Sequence, residues 1–154
     1  MQIAHDAAPW RSFHHVAVVT PDLDATRAFY VGVLRMDAGP VMTRAGARHC
    51  FVKPGEGEAW GLHFFEDAGA HPLTDRDELR RLLADPASVV RSLPGALQHI
   101  AFGIAGERAA LDLRERLRAH DVPMTGVFDI GAIRNFVFAD NNGMLLEAAW
   151  PRAQ

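Results

Sequence analysis

His15 and His99 stand 84 residues apart, and so do His63 and Glu147. In each half of the chain the second of these residues follows the first by 48 positions. The local text agrees, because His15-Val-Ala-Val and His99-Ile-Ala-Phe share the pattern His-apolar-Ala-apolar. Chemistry-bearing residues repeated at a fixed offset mark a duplicated supersecondary unit, in which neither half carries the whole set. The fold must therefore accommodate two related units.

The segments between these residues give the unit its elements. The β-branched run from Phe13 to Val19 ends at Thr20-Pro21-Asp22, which reads as a capping Thr followed by Pro at the first helical position. A helix is predicted over 21–36, with Leu23, Phe29 or Tyr30, Val33 and Leu34 on its apolar face. Strands are predicted at 37–43 and 48–53 around a hairpin turn at Arg44-Ala-Gly-Ala, then a loop over 54–58 and a strand over 60–65. In the second half a strand over 97–104 precedes a helix over 106–120, with Ala110, Leu113 and Leu117 inward. Strands at 127–130, 133–139 and 144–149 follow, with turns at Gly131 and at Asp140-Asn-Asn-Gly143. Each half reads as βαβββ. The predicted class is α+β, one structural domain with a first module over 12–66, a linker over 67–96 and a second module over 97–150. The linker's one short helix runs from Thr74 or Asp75 to about Asp85.

Composition narrows the functions available. A chain of 154 residues buries roughly 68–70% of its unfolded surface, so it needs neither disulfides nor a structural metal, and a bound metal would serve chemistry. Sixteen Lys and Arg against nineteen Asp and Glu, without a block of like charge, give no electrostatic footprint for nucleic acid or an anionic membrane. No apolar run approaches the roughly 20 residues of a membrane span, and Met1 to Trp10 lacks a basic-then-apolar leader, so the expected compartment is the cytoplasm. Cys50 is the single cysteine, which rules out an internal disulfide and a thiolate-rich zinc or iron–sulfur site.

In a strand, residues two apart share a face. His15 then lies with Ala17, and His99 with Ala101 and Gly103, while Val16, Val18, Ile100, Phe102 and Ile104 point to the helix layer. Gly61 flanks His63 and Ala149 flanks Glu147, so the four polar groups are expected to line one cavity with small neighbours. A single histidine in such a place is more often a satisfied core residue, but a buried glutamate without a partner is costly and favours a cation. Three imidazoles and a carboxylate suit one divalent ion, Fe, Mn, Zn, Ni or Co; if only three of the four bind, as in a two-histidine, one-carboxylate site, a further position opens and oxygen activation becomes easier to build. His49 is a candidate acid–base group from the second hairpin strand. Arg134 and Asn135 are candidates for binding a substrate anion from the matching hairpin. His14 faces away from His15, His120 lies near a helix C-terminus, and His71, Arg80 and Arg81 belong to the linker and matter only if it closes over the site.

The stretch from His15 through Thr20-Pro21-Asp22-Leu23 to Phe29-Tyr30-Val-Gly-Val-Leu34 resembles the opening of the vicinal oxygen chelate superfamily. That superfamily includes glyoxalase I, methylmalonyl-CoA epimerase, fosfomycin-resistance enzymes, extradiol dioxygenases and bleomycin-resistance proteins. Asp140-Asn-Asn-Gly-Met-Leu-Leu-Glu147 resembles its closing segment, where an Asp-x-x-Gly turn precedes a glutamate ligand. The resemblance covers about residues 12–150. It implies paired βαβββ modules forming a curved mixed sheet around a metal-binding cleft, with His15, His63, His99 and Glu147 at the ligand positions.

Four departures bear on the subfamily. Arg35 stands where the family often has a helix-ending glycine. Phe136-Val-Phe138 stands where extradiol dioxygenases carry a tyrosine, Val19 where bacterial glyoxalase I carries an arginine, and His63 where epimerases usually show glutamine. The expected activity is divalent-metal-dependent and glyoxalase- or dioxygenase-like, on a small oxygen-chelating organic substrate, by lyase, isomerase or ring-cleaving chemistry. The alternative is a non-catalytic binding protein of the bleomycin-resistance type. The apolar cavity lining suits an aromatic ligand, and open sheet edges predict a homodimer.

Overall fold

A computed structural model describes residues 14–55, 61–72, 75–84 and 97–152. Phe13, Thr74 and Asp85, and the first position of the strand predicted over 60–65, lie outside these residues. The first half contains β1 (His15–Thr20), α1 (Leu23–Arg27) continuing as a π-helical segment (Ala28–Val33), β2 (Asp37–Ala38), β3 (Met42–Arg44), β4 (Ala47–Lys53) and β5 (Gly61–Glu66). After α2 (Arg76–Ala84) come β6 (Ile100–Gly103), α3 (Glu107–Ala119), β7 (Phe128–Ile130), β8 (Ile133–Ala139) and β9 (Leu145–Pro151). The architecture is α+β with two βαβββ units, as the duplication requires.

Two mixed sheets result. The first runs β1-β5-β4-β2 with β3 also on β4, and the second runs β6-β9-β8-β7. In each, the opening strand pairs in parallel with the last strand of its unit, and the 84-residue offset reappears as register. Ala17 faces His63 across β1 and β5, and Ala101 faces Glu147 across β6 and β9. Val16 and Leu62 correspond in the same way to Ile100 and Leu146.

Alternation sorts the two faces as expected. Val16, Val18, Ile100 and Phe102 pack on the core, while His15, Ala17 and Val19 are exposed on the opposite face of β1. The core draws on both halves, with Leu23, Tyr30, Leu62 and Phe64 in one cluster with Leu117, Phe136, Leu146 and Trp150. The two sequence motifs meet there. The Tyr30 hydroxyl donates to Asp140 Oδ2 at 2.9 Å, and Asn142 Nδ2 donates to Thr20 Oγ1 at 3.1 Å.

Several predicted elements need correction. The helix start is capped by Asp22, whose side chain accepts from the Ala25 N–H at 2.9 Å, while Thr20 turns its hydroxyl to Thr26 at 2.7 Å. The predicted 21–36 helix is α-helical for only five residues before widening into the π-helical segment, with the Leu34 N–H reaching the Phe29 carbonyl. It ends at Arg35, which takes a left-handed φ of 60° where glycine would carry no strain.

The predicted strand over 37–43 is two strands. Pro40 has no N–H for the ladder, and three residues of this segment oppose two of β4 between the Ala38–Val52 and Met42–His49 pairs, a β-bulge. The strand expected over 97–104 is paired only from Ile100, opposite Leu146, to Gly103, and in this register residues 97 and 98 fall level with Gly143 and Met144, ahead of β9. Conversely, β9 extends to Pro151 because Ile133 of β8 is there to pair with it.

The linker helix α2 lies on a face that concerns the site. Leu79 and Leu83 pack with Val137, Ala139 and Leu145, and Val137 is the cross-strand neighbour of Glu147. Arg80 and Arg76 pair with Asp121 beyond the end of α3, at 2.6 and 3.4 Å. Among the described residues no helix is long and apolar enough to cross a membrane.

Candidate functional site

Five strands, β1, β4, β5, β8 and β9, carry the predicted residues, with His99 just ahead of β6. In the first sheet, period two brings His15, His49, Phe51, His63 and Phe65 to one side of β1, β4 and β5. Their rings touch. Phe51 stacks on His63 with centroids 3.8 Å apart, Phe65 lies 4.1 Å from His63, and His15 lies 5.6 Å from it, edge to face. His49 is buried, and its Nδ1 lies 2.8 Å from His63 Nε2. His14 and His15 also meet, Nδ1 to Nδ1, at 2.8 Å.

Burial, and then the nearness of His49 and His15, pushes the His63 imidazole below its ordinary pKa. At neutral pH it is uncharged, the form able to donate a lone pair to a metal.

The second sheet holds the other pair. His99 Nε2 lies 2.9 Å from Glu147 Oε2, and Asn135 Nδ2 donates to Glu147 Oε1 at 2.8 Å. The other ring nitrogen of His99 is in close contact with Gln98 Oε1. Glu147 and Asn135 are buried, and Asn135 Oδ1 has no partner among the described residues.

One of the two pairs has a donor separation that suits a divalent ion. Two ligand atoms each about 2.0–2.2 Å from one metal, at right angles, lie about 3 Å apart, close to the His99–Glu147 separation. The orphaned Asn135 oxygen is a second sign that this polar patch is built for a group besides the protein's own side chains. The fit stops at that pair. Among the described residues, no three His, Cys, Asp or Glu side chains are arranged to hold one ion, so His15 with His63 and His99 with Glu147 stand as two half-sites.

The substrate-binding candidates fall differently from one another. Arg134 pairs with Asp129 and with Glu107, its guanidinium 6.0 Å from the Trp150 ring, while Trp150 donates to Glu107 at 2.7 Å. That network fixes the end of the second sheet to the start of α3. Asn135 is turned to Glu147. Sequence reasoning overlooked the aromatic character of the first half-site, although Phe51 and Phe65 share the parity of His49 and His63 and could have been found by counting in twos. Gly61, expected only to leave room beside His63, is demanded by the backbone. Its φ is +71°, and a Cβ there would lie 2.4 Å from Pro54 Cδ.

A cavity of about 470 Å³ is lined in part by Ala17 and Val19 of β1, by Leu97 and Gln98 ahead of His99, and by Leu145 of β9; none of His15, His63, His99 and Glu147 lines it, and Glu147 lines a smaller cavity of about 130 Å³ with Phe102 and Phe138. The larger volume falls in the range of small-molecule pockets.

Solved structures share this fold. A glyoxylase/bleomycin resistance protein/dioxygenase domain from Frankia sp. EAN1pec superposes with a TM-score of 0.70 at 20% identity, over 93% of each chain. The fosfomycin resistance protein FosX from Listeria monocytogenes gives 0.62 at 17% identity, over 93% of this chain and 95% of its own. TnmS3, an antibiotic binding protein from Streptomyces sp. CB03234, gives 0.64 at 15% identity, over 94% and 99%. No curated protein is matched by sequence. The family model for the Glyoxalase/Bleomycin resistance protein/Dioxygenase superfamily matches residues 12–148, nearly the whole span of the duplicated units, and the chain belongs to that superfamily.

Proposed function

We propose that the protein is a divalent-metal-dependent enzyme acting on a small oxygen-chelating organic substrate, by lyase or isomerase chemistry or by ring-cleaving dioxygenase chemistry. The observation that carries this reading is the buried Glu147 carboxylate with its Oε2 2.9 Å from His99 Nε2, set in register with the His15 and His63 pair of the other half. Members of the superfamily typically bind a divalent metal. Here His15, His63, His99 and Glu147 would hold one ion, Fe, Mn, Zn, Ni or Co. Such an ion, when bound, acts as a Lewis acid on a carbonyl, enol or catechol oxygen.

The chain's own groups supply the rest. The uncharged His63 provides a donor without a proton to displace near neutral pH, and Glu147 provides a carboxyl oxygen. His49, buried and in contact with His63, is the group placed to take or return a proton. Phe51 and Phe65 offer half-buried ring faces that suit an aromatic substrate and keep water from its plane. We further propose a cytoplasmic homodimer. The outer edges of β1 and β6 end their sheets, and Val19 and Leu97 near them are 53% and 62% exposed, the kind of edge a second copy covers.

A second reading keeps the cleft and drops the chemistry. The aromatic face around His63 would suit a sequestered ligand as well as a substrate, and TnmS3 is an antibiotic binding protein of this fold. Elemental analysis of the purified and metal-reconstituted protein separates the two. The enzyme reading expects close to one divalent ion per chain, lost in His99→Ala and Glu147→Ala. Metal that cannot be restored, with ligand binding unchanged in both variants, would leave the binding-protein reading standing.

A further inference from the structure

Asn135 occupies in the second sheet the place His49 occupies in the first. His49 stands opposite Phe65, two residues beyond His63, and Asn135 stands opposite Ala149, two residues beyond Glu147. Each reaches the neighbouring strand, His49 Nδ1 to His63 Nε2 at 2.8 Å and Asn135 Nδ2 to Glu147 Oε1 at 2.8 Å. The two are 8% and 4% exposed. The halves have kept one arrangement while changing both residues in it, which points to the contact itself as the feature that matters.

The direction of the Asn135 amide follows from chemistry. The NH₂ donates to Glu147 Oε1, so the carbonyl oxygen faces away from the carboxyl group. That oxygen is then the one buried side-chain polar atom without a partner among the described residues. A buried polar side chain is costly in a core, and this one is half satisfied, so packing alone does not account for it. Its effect on Glu147 is specific. With Oε1 held by Asn135, Oε2 is the oxygen left beside His99 Nε2.

We propose that Asn135 is a positioning residue. It turns Glu147 so that a single oxygen, Oε2, is presented together with His99 as a ligand to a divalent ion, and it prevents the carboxylate from chelating with both. This rests on the metal reading above. Partners of metal ligands commonly contribute about 10–100-fold in metal affinity.

The test is zinc affinity, by competition against a chromophoric chelator, in the wild type, Asn135→Leu and Asn135→His, with the thermal unfolding midpoint of each metal-free protein measured alongside. Asn135→Leu is expected to weaken zinc binding about 10–100-fold. Its metal-free unfolding midpoint should fall modestly, because losing the donor to buried Glu147 Oε1 outweighs removal of the orphaned oxygen. Asn135→His, which installs the side chain used by the first half, is expected to recover most of the affinity. The visible spectrum of the cobalt-substituted Leu variant should change as Glu147 becomes free to bind through both oxygens. Wild-type affinity and an unchanged cobalt spectrum in Asn135→Leu would overturn the proposal. So would a failure of Asn135→His to recover zinc affinity while its metal-free midpoint matches the wild type. A wild-type protein that binds no zinc or cobalt would instead defeat the metal reading itself, and this inference with it.

Discussion

Asp140 shows how one side chain serves the fold on which the site depends. Its Oδ1 accepts from the Asn142 and Met144 N–H groups, each at 2.8 Å, closing the turn before β9, and its Oδ2 accepts from Tyr30 in the other half. Burial pushes the Asp140 carboxyl above its ordinary range, against the pull of these hydrogen bonds. Burial and the neighbouring carboxylate raise the Tyr30 phenol as well, so it stays a donor. A carboxyl whose folded pKa is raised binds its proton more tightly folded than unfolded. Its contribution is fully present below the ordinary aspartate value of 3.8 and fades as pH rises through the folded pKa. Asp140→Asn should therefore show its largest deficit against wild type in acid, with the gap narrowing toward neutral pH, as read by urea unfolding at pH 3.5 and 7. A gap independent of pH would show that burial does not raise this carboxyl. The hydrogen bond from Tyr30 could not be read from the sequence, because the two residues are 110 positions apart and each is explained locally, one by a helix face and the other by a turn.

At the scale of elements, type and order were legible and edges were not. Hydrophobic period and turn residues were enough to find β1, α3, β8 and β9, whose apolar residues alternate or recur over a full face. The π-helical widening over Ala28–Val33 left no mark in the apolar pattern, since Phe29, Tyr30, Val33 and Leu34 are buried on either geometry. Pro40, which has no N–H for the ladder, is the residue in the sequence that marks the break between β2 and β3. The helix α2 was foreseen, and its place was not. Nothing in its charge-rich sequence says that Leu79 and Leu83 will lie against Val137 and Leu145, on the sheet face that carries Glu147. It walls that face and is held by two leucines and the Asp121 ion pairs. Leu83→Ala is expected to lower the protection of α2 amides in hydrogen exchange by about 2–3 kcal/mol, within the range for buried leucine truncation, and to leave β4 and β5 unaffected. Equal loss in both places would mean that α2 opens only with the whole molecule.

At the scale of the molecule, the duplication is both what the sequence revealed most plainly and what limits each half. Arithmetic on four residues anticipated the register of two sheets, because parallel pairing of first and last strands carries the offset directly into space. It also anticipated which face the candidates share. The arithmetic could not say how far one half-site lies from the other, since that depends on how two sheets pack, and packing is set by side chains spread over the whole core. The candidates accordingly appear as His15 with His63 and as His99 with Glu147. The central claim is that these pairs serve a single ion. Cobalt titration followed by visible absorption tests it, applied to the wild type, to His15→Ala combined with His63→Ala, and to His99→Ala combined with Glu147→Ala. One ion per chain in the wild type, with binding lost in both double variants, is the predicted result. Two ions per chain, or wild-type binding by the variant lacking His15 and His63, would contradict it.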